Sequence, residues 1–239
     1  MQAVILCGGL GSRLSEETEN KPKPMVEIAG KPILWHIMKI YSSHGINDFI
    51  ICLGYKGYII KEYFNNFLLH NHDLTINFKN KSTIYHSLKE KENWKITLVD
   101  TGISTLTGGR LKRVSKYINN NNFCFTYGDG LSDVNIKNLI KFHIKNKKLA
   151  TVTSVISPAR FGVLNIKNNL VKNFKEKPKS STSLINGGFF VLSKKVINYI
   201  KDDTTIWEKE PLENLAKDGE LASYLHEGFW HPMDTMRDK

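Results

Sequence analysis

Apolar residues fall along this chain in two alternating rhythms. Short continuous runs, Ala3-Val-Ile-Leu6, Phe49-Ile-Ile-Cys-Leu53 and Phe123-Cys-Phe-Thr-Tyr127, stop at or just before glycine, as strands buried on both faces of a sheet do. Between the first two, Leu34, Ile37, Met38 and Tyr41 recur at helical spacing, which predicts a helix over residues 33–44. Strand 2–6, that helix and strand 49–53 form a βαβ unit. The pattern continues with a helix over 58–71, a strand over 94–100, a helix over 110–117 and a strand over 123–127 that stops at Gly128-Asp-Gly130. A helix over 133–146, a strand over 150–154, a hairpin-like pair around 162–174 and a strand over 189–192 complete the series, without an internal repeat. Residues 79–93 are the most charged and least periodic stretch, expected to be a mobile flap or insertion rather than a domain boundary. The fold class is α/β, a doubly wound and mainly parallel mixed sheet in a single domain over 1–239. Ligands are then expected beyond the carboxyl ends of the strands.

Composition narrows the picture modestly. The 239 residues suffice for one large domain. The formal net charge of +11 raises the question of a nucleic-acid partner. Its lysines are scattered among asparagines, as in Lys79-Asn-Lys81 and Lys145-Asn-Lys-Lys148, without an aromatic platform or an arginine strip. A solvated basic surface that attracts anionic substrates is the better reading, with no nucleic acid as partner. No apolar stretch approaches the ~20 residues that span a bilayer, so no membrane partner is expected. Cys7, Cys52 and Cys124 are odd in number and far apart, which favours reduced thiols and a cytoplasmic protein.

The densest chemistry lies in Leu6-Cys-Gly-Gly-Leu-Gly-Ser-Arg13 and Lys21-Pro-Lys-Pro-Met25. Glycines after a strand let the backbone turn and aim the N–H groups of Gly8, Gly9, Leu10 and Gly11 at one anion. Arg13 adds a planar donor fork, and Lys23, between Pro22 and Pro24, carries an ammonium on stiff backbone. Loop, arginine and lysine together point to a nucleoside triphosphate. The spacing is not that of a Walker loop, since no Gly-Lys-Ser/Thr follows Gly8 or Gly9 at the required distance. Nor is it the dinucleotide fingerprint, because Gly9-Leu-Gly11 is followed by Ser12-Arg13-Leu14 without the third glycine.

Asp129 stands between two glycines at the carboxyl end of a buried strand. That position suits a carboxylate holding magnesium against phosphate, an ion that asks one or two carboxylates of the protein. A plain Gly-Asp-Gly turn, with Asp133 capping the following helix, is the alternative.

The two-part signature at 8–14 and 21–25 resembles that of the sugar-1-phosphate nucleotidyltransferases, Gly-Gly-x-Gly-(Ser/Thr)-Arg-Leu followed by Lys-Pro-Lys-Pro-Met. Further blocks, among them Val99-Asp-Thr-Gly102, Thr107-Gly-Gly-Arg-Leu111, Glu176-Lys-Pro178, Ile185-Asn-Gly-Gly-Phe189, Trp207-Glu208 and Pro232-Met-Asp-Thr235, extend the resemblance over the whole chain. They are similar to the glucose-1-phosphate cytidylyltransferases within that family. The resemblance implies a Rossmann-like, GT-A-like fold, with a nucleotide-binding part over about 1–130 and a sugar-phosphate-binding part over about 131–239. It implies transfer of a cytidylyl group from CTP to α-D-glucose 1-phosphate, giving CDP-glucose and pyrophosphate for 3,6-dideoxyhexose and O-antigen synthesis. Magnesium as cofactor and a homo-oligomeric enzyme are implied too.

Residue by residue, the resemblance makes Arg13 and Lys23 catalytic. It makes Leu6, Cys7, Gly8, Gly9, Leu10, Gly11, Ser12 and Gly128 nucleotide-binding together with those two. Asp234, which alone reads more readily as a helix N-cap, becomes the second magnesium ligand beside Asp129. Lys177 is expected on the sugar's phosphate, and Glu176 with an Asn186-Gly187-Gly188 turn on sugar hydroxyls. Residues 101–110 lie where the family reads the base, so Thr105, Thr107 and Arg110 are candidates for cytosine or its triphosphate; a plain loop before a helix explains them as well. Cys7 stands where the family usually has alanine, which is expected to leave a thiol open to alkylation beside the loop. Relatives usually continue into a helical tail past the position of Lys239, an expected contributor to packing or assembly. Rival readings are a transferase using UTP, dTTP or GTP, a non-catalytic sugar-nucleotide sensor, and a basic nucleic-acid binder.

Overall fold

The computed structural model describes residues 1–11, 18–86, 92–156, 163–167, 170–175, 184–235 and 238, with 163–167 and 170–175 described by their backbone alone. The chain opens with β1 (Gln2–Cys7), a small ribbon of β2 (Glu27–Ile28) and β3 (Lys31–Pro32), α1 (Ile33–Ser43) and β4 (Asp48–Leu53). After α2 (Gly57–Asn65) and α3 (Phe67–Asn71) come β5 (Asp73–Asn77), β6 (Ser82–His86), β7 (Lys95–Asp100), α4 (Thr107–Val114), β8 (Asn122–Tyr127), β9 (Gly130–Ser132) and α5 (Ile136–Asn146). The second half holds β10 (Ala150–Ile156), β11 (Val163–Lys167), β12 (Leu170–Lys175), β13 (Leu184–Ser193), α6 (Glu210–Lys217), β14 (Leu221–His226) and β15 (Trp230–Pro232).

Seven strands form the central sheet in the order β14-β10-β13-β8-β1-β4-β7. β1 pairs in parallel with both β4 and β8, and β10 with β14; β13 runs against its neighbours β8 and β10. The apolar run of β1 alternates between two cores, as the period of two requires. Ala3, Ile5 and Cys7 pack with Ile33, Leu34, Ile37 and Met38 of α1 on one face. Val4 and Leu6 pack with Leu111 and Val114 of α4 and with Trp207 on the other. Because the chain leaves β1 for β4 on one side and joins it to β8 on the other, the order reverses between β1 and β8. The carboxyl ends there open the crevice where doubly wound sheets bind ligands.

The expected strand and helix order holds through the parallel half, with four differences. The helix expected over 58–71 breaks at Asn66, and the stretch expected to be an irregular flap contains β6, paired with β5 in a hairpin. The helix expected from 133 starts at Ile136: Asn135 caps it by accepting from the Asn138 N–H, while Asp133 faces His226 at 3.0 Å. The fourth is an omission, since β9, α6, β14 and β15 have short or mixed patterns that periodicity does not single out.

Candidate active site

A cavity of about 560 Å³ lies at the reversal point. Its lining includes Leu6, Cys7, Gly8, Gly9, Leu10, Gly11, Lys23, Thr105, Thr107, Arg110, Gly128, Asp129 and Asp234, all expected from the sequence. Pro24, Ile103, Ser104, Leu106 and Tyr127 complete the wall without having been singled out. Ser12, Arg13, Glu176 and Lys177 lie outside the described residues.

The glycine loop is held from beneath. Arg110, 4% exposed, donates from Nη2 to the carbonyls of Gly8 and Ile103 at 3.0 and 3.1 Å, and from Nη1 to the Leu53 carbonyl and Thr101 Oγ1 at 3.0 and 2.7 Å. A buried guanidinium is tolerable when its fork meets acceptors of this geometry. Gly8 is required by that approach: a Cβ there would lie 2.1 Å from Arg110 Nη1. Gly11, at φ +67°, turns the chain so that it packs against the Lys23 stem. In this structure Arg110 therefore pins the loop after β1 to the stretch before α4. The Thr107 hydroxyl is likewise engaged by protein, donating to Glu208 Oε2 at 2.7 Å and accepting from the Trp207 N–H at 2.9 Å.

Opposite the loop, three charges meet. Lys23 Nζ sits 2.6 Å from Asp129 Oδ2 and 3.1 Å from Asp234 Oδ1, with 13% of its side chain exposed. Lys23 opens a short 3₁₀ turn, Lys23–Met25, with Pro24 inside it, so the stiffness expected from the prolines is present. Asp129 follows β8, and Asp234 is delivered by β15 pairing antiparallel with β9; the Met233 N–H donates to the Asp129 carbonyl at 2.8 Å. Asp238 braces Asp234, Oδ2 accepting from the backbone N–H groups of Asp234 and Thr235 at 3.0 and 2.7 Å.

The donor set suits a divalent cation, because two carboxylates already converge on one positive centre and magnesium needs no more from the protein. No group of three or more His, Cys, Asp or Glu side chains able to hold a metal occurs among the described residues.

Two expectations need correction. Asn186, Gly187 and Gly188 form no turn: they lie inside β13, at an irregularity in its pairing with β10. Gly188 takes φ +78°, with the Tyr127 ring against the place of its missing Cβ, and none of the three lines the cavity. Cys7 is also not open to alkylation. It is 1% exposed, and burial, reinforced by the nearby Cys52 and Asp129, raises its pKa well above the ordinary thiol value, so the nucleophilic thiolate is suppressed.

A family model described as nucleotidyl transferase matches residues 2–234. Over its whole length the chain is 59% identical to glucose-1-phosphate cytidylyltransferase of Salmonella typhimurium, covering 93% of that protein. It is 50% identical, with the same coverage of both chains, to a probable glucose-1-phosphate cytidylyltransferase of Bacillus subtilis. Among solved structures, HddC from Yersinia pseudotuberculosis superposes with a TM-score of 0.71 at 27% identity, over 99% of this chain and 95% of that one.

Proposed function

Because the chain belongs to the nucleotidyl transferase family, we propose that it transfers a cytidylyl group from CTP to α-D-glucose 1-phosphate, forming CDP-glucose and pyrophosphate. The observation that carries this reading is Lys23 held between Asp129 and Asp234 at the mouth of a glycine-loop cavity. Identities of 59% and 50% to cytidylyltransferases support the choice of base and sugar.

A phosphate oxygen of the sugar forms the new bond to the α-phosphorus, and the bond from that phosphorus to the β-bridging oxygen breaks, releasing pyrophosphate. The nucleophile is already anionic, so the protein's work is to orient two mutually repelling anions and screen them. Backbone N–H groups of the loop Gly8 to Gly11 hold the triphosphate, with Arg13 on its β and γ groups. Lys23 meets the charge that grows at the α-phosphate. Asp129 and Asp234 would hold magnesium, which supplies charge neutralisation between the two substrates. Lys177 receives the sugar's phosphate, and Glu176 its hydroxyls. With the Thr107 hydroxyl engaged and four Arg110 N–H groups donating to protein oxygens, base reading falls to the stretch around Ile103, Ser104 and Thr105.

The same reading includes a homo-oligomeric, cytoplasmic enzyme supplying CDP-glucose to dideoxyhexose synthesis. Exposed Leu68, Ile76, Phe78 and Ile84 around the β5–β6 hairpin support self-association, and three free, buried cysteines support a reducing compartment. No described helix is long and apolar enough to cross a membrane.

Pyrophosphate release with magnesium and glucose 1-phosphate, measured separately with CTP, UTP, dTTP, GTP and ATP, tests the proposal. Strong preference for CTP is expected. Preference for another nucleotide overturns the base assignment, and no release with any of them overturns the reaction.

A further inference from the structure

Glu208 lies outside the cavity, yet both of its oxygens are committed to residues that line it. Oε2 accepts from the Thr107 hydroxyl at 2.7 Å and Oε1 from the Tyr127 hydroxyl at 2.5 Å. Thr107 opens α4 on the wall that carries Ile103 to Leu106, whereas Tyr127 ends β8 next to Gly128 and Asp129. One carboxylate, 101 and 81 residues away in sequence, thus ties two walls of the cavity, and among the described residues it makes no ion pair.

The surroundings make this link stiff. Trp207, beside it in sequence, is fully buried and packs edge-on to Phe125 and Phe190 at 5.8 and 6.1 Å between ring centres. Its backbone N–H donates to Thr107 Oγ1, and the Gly108 N–H donates to the Thr205 carbonyl at 3.0 Å, so residues 205–208 grip the start of α4. The Tyr127 ring rests against Gly188 and Phe190. An ionised carboxylate only accepts, which forces both hydroxyls to donate toward it. Thr107 is thereby closed to further donation, and Tyr127 is left with its oxygen lone pairs as its only free hydrogen-bonding capacity.

We propose that Glu208 is a positioning residue for the transfer reaction: acting through Thr107 and Tyr127, it sets the spacing of the two cavity walls and the polarity of both hydroxyls. The inference rests on the proposed nucleotidyl transfer. It concerns a residue whose sequence neighbours show no loop, metal or phosphate signature.

Four purified variants test it: Glu208→Gln, which keeps the size but replaces one acceptor by a donor, Glu208→Ala, Tyr127→Phe, and Tyr127→Phe combined with Glu208→Ala. Glu208→Gln is expected to lower kcat/KM roughly 10-fold and Glu208→Ala roughly 100-fold, the scale of displacing bound groups by about an ångström. Calorimetric CTP affinity should fall in both, with Glu208→Gln still melting near the wild-type temperature. Since Glu208 acts through Tyr127, Tyr127→Phe should cost much less in the Glu208→Ala background than in the wild type. Two results overturn the proposal: unchanged kcat/KM and CTP affinity in folded Glu208→Gln, or fully additive losses in the double variant. An inactive wild-type enzyme would instead refute the reaction itself, and the CTP affinities would still decide the role of Glu208.

Discussion

The two supports of the cavity are built from opposite materials. Beneath the glycine loop, Arg110 is buried and bound to three backbone carbonyls and a threonine hydroxyl. Across the cavity, Lys23 is partly exposed and bound to two carboxylates, 33% and 23% exposed, which a substrate or cation can take over. The first arrangement resists change, because its acceptors have nowhere else to turn once buried. The second is open to competition, since an anion could compete for Lys23 and, under the proposed reaction, a metal for the aspartates. A positive side chain can therefore be scaffold or reagent in the same site, according to what it is paired with and how wet that pairing is.

The comparison breaks most visibly at Arg110. Arg110→Met should destabilise the protein by about 3–5 kcal/mol, as buried carbonyls lose their donors, measured as a shift in urea midpoint at constant m-value. Arg110→Lys should recover less than half, because an ammonium cannot reproduce the fork.

Lys23→Ala should do the reverse. Turnover should fall ~100-fold or more, the scale of losing one preorganised charged donor, while the urea midpoint stays close to wild type, because a partly exposed ion pair contributes little stability. Near-normal pyrophosphate release by that variant removes Lys23 from the mechanism.

A gentler probe is alkaline pH. Burial raises the Cys7 pKa well above its ordinary value and the Cys52 pKa to about 12, in both cases against a lowering effect of Arg110, and burial also raises Cys124 to about 12. The folded state therefore holds these protons more tightly than the unfolded chain. Stability is whole below the unfolded thiol pKa of about 8.5 and is lost as pH rises through the window up to the folded values. The loss by pH 9.5 should be on the order of 1 kcal/mol per thiol, and Cys7→Ala should flatten that slope.

The smallest effect is expected far from both supports. Phe78, 87% exposed beyond β5, should tolerate Phe78→Ser within about 0.5 kcal/mol of wild-type stability, with unchanged kcat/KM at enzyme concentrations where the chain is monomeric.

Much of the site was legible in residue order because its parts are local. The glycines follow β1 directly, Lys23 lies between prolines, and Asp129 ends an apolar strand, so backbone geometry alone places them at the crevice. The Asn186 to Gly188 stretch misled for a physical reason. Paired glycines beside asparagine suit a turn, but the segments before and after them pair with β10, which holds them in β13, where the positive φ is absorbed as an irregularity rather than a reversal. The β5–β6 hairpin was missed because it contains no buried residue, and the short alternation of Leu74 and Ile76 stands beside a charged, aperiodic stretch.

The sequence by itself determined the parallel core, the glycine-rich loop after β1 and the charged residue types that line the cavity. Strand burial, glycine freedom and proline stiffness act over a few neighbouring residues and leave a local record. Only the tertiary structure decided which charges meet. Lys23 and Asp234 are 211 residues apart, and Thr107 and Glu208 are 101 apart. No local pattern encodes such contacts, because they arise when strand pairing brings distant chain ends to one edge of the sheet.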